Sequence, residues 1–232
     1  MLIELLLSVA DRCVGWILQR RVFKVVGEEF LDRSKWSYQD LLRRLVGLDH
    51  AMLPGANLVN EGTVEQWAPI FKYDPESWRL VVYNHRVIVG YFHAFSITDE
   101  AYASILSGEM PDSKFTIAAL RKLSDPGVHK LYVCSIIGQA DHDTSQHRVQ
   151  DLVISAFAKH LIWLGKQGTH ISHVCTVATT ESGERLCRKS GLNPVGNHSD
   201  LIGGTVFSGQ ILPLETKLHR NPLARRLSKV YG

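Results

Sequence analysis

The stretch 130–191 constrains this chain most, because its apolar period changes several times. Residues 130–137, Lys-Leu-Tyr-Val-Cys-Ser-Ile-Ile, are a short apolar run rich in β-branched and aromatic residues and read as a strand. A polar loop, 138–147, follows. From Arg148 the pattern is helical: Val149, Leu152, Val153, Ala156, Phe157, Leu161 and Leu164 return to one face. The helix is expected to stop at Lys166-Gln167-Gly168, where a cation meets the negative end of the helix dipole and glycine follows. Residues 173–177 read as another strand. Thr179 or Thr180 then caps a short helix that runs to Lys189 and closes at Gly191. This alternation of strands and helices places the chain among α/β (α+β) proteins.

The flanking sequence extends the pattern. Residues 79–83 and 87–95 read as strands joined by a tight connection at Asn84-His85-Arg86. Strands are also expected at 193–196 and 205–212. Before the hairpin, Leu41, Leu42, Leu45, Leu48 and Met52 recur at helical spacing, with Ser37 as N-cap and Pro54-Gly55 as the stop. Further helices fit 64–71, 99–106 and part of 115–123, and Asp125-Pro126-Gly127 reads as a turn. The first eighteen residues carry Ile3, Leu6, Leu7, Ala10, Val14, Ile17 and Leu18 on one face of an amphipathic helix. Glu4, Asp11 and Arg12 keep that run well short of the roughly 20 apolar residues of a spanning helix. With no internal repeat and no low-complexity linker, the chain reads as one domain: a core (79–215) with a helical extension (1–78) packed on it and a basic tail (216–232).

Composition narrows the chemistry. Of 232 residues, 26 are Lys or Arg and 23 Asp or Glu, for a formal net charge of +3. Five of those cations, Lys217, Arg220, Arg225, Arg226 and Lys229, lie in the tail, which we read as solvated and loosely ordered. Without them the rest has a formal charge of −2, so a nucleic-acid partner is not expected. The four cysteines, Cys13, Cys134, Cys175 and Cys187, are far apart and form no C-x-x-C pair, which argues against a zinc ribbon or a disulfide scaffold. Free thiols fit a cytoplasmic protein. Asp141, His142, Asp143 and His147 are metal-ligand types without a metal-site spacing, so no metal is expected. There is no G-x-S-x-G, G-x-x-x-x-G-K-[ST] or H-E-x-x-H motif.

The order hairpin, helical insertion, strand, loop, long helix, strand, short helix, strand resembles the GNAT superfamily of N-acetyltransferases. The segment Thr-Glu-Ser-Gly-Glu-Arg-Leu-Cys-Arg-Lys-Ser-Gly-Leu (180–192) is similar to that family's N-x-x-A-x-x-L-Y-x-K-x-G-F. Gly183, Leu186, Lys189 and Gly191 match; Thr180, Cys187 and Leu192 stand for Asn, Tyr and Phe. The resemblance implies a mixed, mostly antiparallel central sheet flanked by helices, with acetyl-CoA or another acyl-CoA as co-substrate and an amine as acceptor. It implies cofactor contacts at Ile136, Ile137, Gln146, His147, Arg148, Val149, Gln150, Thr180, Gly183 and Lys189. Where the family has the loop [QR]-x-x-G-x-[GA], this chain has Thr144-Ser145-Gln146-His147-Arg148-Val149, with neither glycine. Cys187 takes the place of the tyrosine that protonates the leaving thiolate. Ser135 lies where the thioester would lie, and Glu181 and His93 are the base candidates. Two other readings follow from the same residues: a GNAT-like binding module that has lost acetyl-CoA use, and an acyltransferase held at a membrane surface by its N-terminal helix and basic tail. The N-terminal helix and the strand 205–212 are the candidate homodimer surfaces.

Overall fold

The computed structural model describes residues 23–53, 62–139, 146–195, 204–211 and 222–231. Strands β2 (Trp78–Tyr83) and β3 (Val87–Ile97) form the expected hairpin. Its turn places Asn84 and His85 at φ 47° and 63°. Asn and His tolerate that left-handed region far better than β-branched residues do. The long strand β5 (Gly127–Gly138) pairs antiparallel with β3, and β6 (Thr169–Ala178) pairs parallel with β5. β8 (Thr205–Gln210) and the short β7 (Asn193–Pro194) complete that side.

Two strands depart from the sequence-based expectation. Phe23–Val26, inside the extension expected to be helical, is β1 and pairs antiparallel with β2. Four residues are too few to display a period of two. The helix expected within 115–123 is instead one 3-10 turn (Ile117–Ala119) followed by β4 (Leu120–Arg121), which pairs with β3 at Ser96 and Ile97. The order across the sheet is β1-β2-β3-β5-β6-β8-β7, with β4 on β3. It is a mixed, mostly antiparallel eight-stranded sheet with helices on both faces.

One face carries α1 (Glu29–Ser34), α2 (Tyr38–Met52), α3 (Val64–Tyr73) and α4 (Asp99–Leu106). Helix α2 begins with a capping box: Ser37 accepts from Asp40 N, and the Asp40 carboxylate accepts from Ser37 N. Its Leu41, Leu42, Leu45 and Leu48 are buried with Trp78, Leu80, Tyr91, Phe95 and Tyr132 of the sheet. The other face carries α5 (Gln146–Lys166), α6 (Glu181–Lys189) and α7 (Pro222–Tyr231). Val149, Val153, Phe157, Leu161 and Leu164 of α5 all face this second core, as their spacing predicts.

The basic tail is likewise corrected. Its residues 222–231 form α7 and dock on α5: Leu227 is 2% exposed, and the Tyr231 hydroxyl donates to the Leu161 carbonyl at 2.6 Å. Gly165 permits the approach, since a Cβ there would lie 2.1 Å from Val230 Cγ1. The N-terminal amphipathic helix, the loop acids Asp141 and Asp143, and Cys13 lie outside the described residues. Among the described residues no helix is long and apolar enough to cross a membrane, and no group of three metal-ligating side chains occurs.

Candidate functional site

The parallel pair β5–β6 runs from Gly127↔Thr169 to Val133↔Thr176, with one register shift at His129/Lys130, and then stops. β5 continues to Gly138, whereas β6 ends at Ala178, its last residues paired only with β8 through Ala178↔Thr205. The two strands therefore fork. Thr176 ties the apex, its hydroxyl donating to the Val133 carbonyl at 2.7 Å. Beyond the apex, 134–138 has no strand partner on the β6 side among the described residues. Backbone groups on such an edge need partners, and a ligand can supply them.

A β-bulge aims this edge. Between His93/Ala94 on β3 and Ser135/Val133 on β5 the register shifts by one, and Cys134 is the extra residue. Strict alternation would put Cys134 and Ser135 on opposite faces. The bulge brings them together on the α2–α4 face, with Ser135 Oγ 3.8 Å from Cys134 Sγ.

The far end of the fork meets α5. Gly138 abuts the first turn of that helix: a Cβ would lie 2.8 Å from Gln150 N and 3.1 Å from Val149 C. No acid occupies the first turn of α5. A 21-residue helix thus brings the first-turn N–H groups, which have no partner within the helix, and its positive dipole end beside the open strand edge. That combination suits a phosphate or pyrophosphate. Gly138→Ala should push the helix start off the strand and destabilise the fold by about 1–3 kcal/mol. Urea denaturation checks this, and an unchanged midpoint refutes the close approach.

On the α2–α4 face the bulge meets two Tyr–carboxylate pairs. The Tyr91 hydroxyl donates to Asp49 of α2, 2.7 Å from each carboxylate oxygen. Tyr132 donates to Asp112 Oδ1 at 2.5 Å, and Cys134 Sγ lies 3.4 Å from Asp112 Oδ2. Ser135 in turn hydrogen-bonds Tyr91. Burial, reinforced by the Asp49 charge, pushes the Tyr91 phenol well above its ordinary range. Burial and then Asp112 do the same to Tyr132 and to the Cys134 thiol. All three stay protonated near neutral pH, which leaves Cys134 without thiolate character.

The residues expected from the sequence fall into three groups. Ser135, Ile136 and Ile137 lie on the open edge, and Gln146, His147, Arg148, Val149 and Gln150 form the first turn of α5. Val149 is fully buried, so only its backbone is available there; the side chains of 146–148 fall outside the description. A second group builds α6. Thr180 caps it by accepting from Gly183 N at 3.1 Å, and Lys189 is exposed in its last turn. Glu181 is 87% exposed and bridges to Arg185 at 2.5 Å.

The third group is corrected. His93 is enclosed by Trp67, Phe71 and Phe95, with its Nε2 buried and unpartnered, and burial lowers its pKa to about 3. It meets no solvent and cannot collect a proton from a substrate. Cys187 is packed in the α5-side core at 8% exposure, its thiol pushed up to about 11 by burial, and serves as core rather than acid. Asp49, Tyr91, Asp112 and Tyr132 were not singled out in the sequence. Asp49 follows Leu48 in an amphipathic helix and reads as an ordinary polar-face residue.

No protein-family model matches the sequence, and no curated protein matches it. Solved structures do. The loading GNATL domain of CurA from Lyngbya majuscula superposes with a TM-score of 0.52 at 12% identity, covering 82% of this chain and 98% of that one. Ard1 from Thermoplasma volcanium gives 0.48 at 11% identity, over 83% and 99%. The likeness is one of fold: the chain shares the mixed, mostly antiparallel architecture of that GNATL domain.

Proposed function

We propose that this protein is an acyl-CoA-dependent N-acyltransferase that moves an acetyl or related acyl group to an amine. The observation that carries the reading is the fork: an open β5 edge from Cys134 to Gly138 that ends against the N-terminus of α5. The edge offers backbone partners to an extended amide-bearing chain, and the helix start offers N–H groups to the phosphates at its end. This is the fit an acyl-CoA requires.

The acceptor amine enters from the α2–α4 face. There Ser135 meets Tyr91, and Tyr91 donates to Asp49, so a line of hydroxyls leads from the open edge to a carboxylate. An ammonium acceptor loses its proton along this line: Ser135 takes it while passing its own to Tyr91, and Tyr91 passes its own to Asp49. The neutral nitrogen attacks the thioester carbon, the C–S bond breaks, and CoA leaves as thiolate. The nitrogen gives up its second proton as the amide forms; that proton, directly or through water, protonates the thiolate, whose pKa near 8.5 makes a dedicated acid unnecessary. That accommodates the loss of the expected role of Cys187.

The second reading, a binding module without acyl transfer, draws on His147 standing where the family loop has its first glycine. Thermal denaturation with and without acetyl-CoA separates the two. At about 100 times its dissociation constant a ligand stabilises the folded state by roughly 2.7 kcal/mol. We expect an upward shift with acetyl-CoA and CoA; no shift with any acyl-CoA retires the transferase reading.

A further inference from the structure

The sheet carries a second concave site, away from the fork. β1, α1 and the β2–β3 turn enclose a cleft of about 550 Å³ lined by Lys24, Val26, Phe30, Arg33, Ser34, Trp36, Val82, His85 and Arg86. Its charged lining is all of one sign: Lys24, Arg33 and Arg86, with His85 beside them and no carboxylate. No acid lines the cleft itself, and two neighbouring acids have other partners. Glu29 accepts from Gly27 N through both oxygens and meets Arg33 at 3.5 Å from outside the cleft; Asp40 holds the α2 cap and Arg43. The floor is apolar and aromatic. Val26 and Phe30 are buried, Trp36 packs edge-on to Phe30 at 5.4 Å, and Arg44, outside the lining, stacks on Trp36 at 3.9 Å.

The lining has a geometric origin. In β1, Lys24 stands opposite Val82, and Val26 opposite Leu80. The left-handed turn at Asn84 and His85 then brings Arg86 back over the same end of the sheet. Like charges gathered around a low-dielectric floor repel one another, and a counter-anion relieves that repulsion. With Arg33 partly met by Glu29, the three cations still exceed one carboxylate, whereas a phosphate monoester carries close to two charges and three acceptor oxygens.

We propose that this cleft binds a phosphate monoester with an aromatic or apolar body: phosphate on Lys24, Arg33 and Arg86, body on Phe30 and Trp36. The site is distinct from the acyl-transfer fork and independent of it. No residue of the fork, and none of the Asp49–Tyr91–Ser135 line, lines it.

The test is calorimetric titration of the full chain with 1-naphthyl phosphate, inorganic phosphate and 1-naphthol. Naphthyl phosphate should bind at least about tenfold more tightly than either half alone, as expected if charge and body contribute together. Arg86→Glu and the milder Arg86→Gln should each weaken it about tenfold or more, the first more than the second, and leave the acetyl-CoA thermal shift unchanged. Equal affinity for naphthyl phosphate and inorganic phosphate, or indifference to both Arg86 variants, overturns the proposal. A lost acetyl-CoA shift in wild type alone would bear on the transferase reading and not on this one. If Arg86→Glu lowers the melting temperature, Arg86→Gln decides.

Discussion

Asp49→Asn should cut acyl transfer at pH 7 by about 100- to 10,000-fold, the range associated with losing a positioned general base. The change is small in shape. An asparagine amide oxygen still accepts from Tyr91, so the contact now made at 2.7 Å survives while the proton acceptor is lost. Tyr91→Phe should cost a similar factor by cutting the line between Ser135 and Asp49. Residues acting as one unit are not additive, so the double variant should be little worse than either single one. The measurement is thiol release from acetyl-CoA with an amine that the wild-type protein acetylates. The pH profile distinguishes proton removal from mere support of the fold. A variant without its base depends on the fraction of amine already neutral in solution. Its rate should therefore climb about tenfold per pH unit below the pKa of the amine, near 10 for a lysine-like acceptor. A uniform loss across pH would reduce Asp49 to a positioning residue.

Acidification is the second large effect. Between pH 7.5 and pH 5 the protein should lose about 4 kcal/mol of stability through two histidines alone. His93 has no exposed polar surface and an unpartnered Nε2, and burial lowers its pKa to about 3. His160 donates from Nε2 to the Glu76 carbonyl at 2.7 Å and stacks on Trp163; burial and then the Arg79 charge lower its pKa to about 3. In the unfolded chain both titrate near 6.5. Between pH 6.5 and about 3 the unfolded state thus binds more protons than the folded one. Stability is complete above pH 6.5 and falls as pH drops through that window. Each histidine contributes about 2 kcal/mol at pH 5. His93→Phe should flatten the urea-denaturation profile by about half over this range, since its pocket is already aromatic. A profile unchanged by His93→Phe would show that His93 ionises in place. His129 supplies a contrast: Ser96 Oγ meets its Nδ1 and the Asp125 carbonyl its Nε2, both at 2.8 Å, so its buried ring has both nitrogens paired.

Much of this protein is legible in its sequence because local patterning and tertiary packing agree. The hairpin at 84–86, the capping box at Ser37, the α4 helix at 99–106 and the apolar face of α5 each follow from residues only a few positions apart. Where the two disagree, packing decides. β1 is four residues long and becomes a strand only because β2 offers an unsatisfied edge. The 117–121 segment pairs with β3 in place of completing a helix. The tail, read as solvated from its charge, has Leu227, Val230 and Tyr231 on one side and docks over Gly165.

The site divides in the same way. The sequence by itself determined the order of elements, and with it the strand and helix start that line the fork; Ser135, Ile136, Ile137 and residues 146–150 follow from that order. Only the tertiary structure brings Ser135, Tyr91 and Asp49 together. The bulge at Cys134 puts Ser135 on the α2–α4 face, and Asp49, 42 residues before Tyr91, reaches it across two packed layers. It also buries His93 and Cys187, which the sequence offered as candidate base and acid. Periodicity reports which face of its own element a residue occupies. Which other elements cover that face, and so whether a side chain meets substrate, solvent or a neighbouring ring, is fixed only when the layers close.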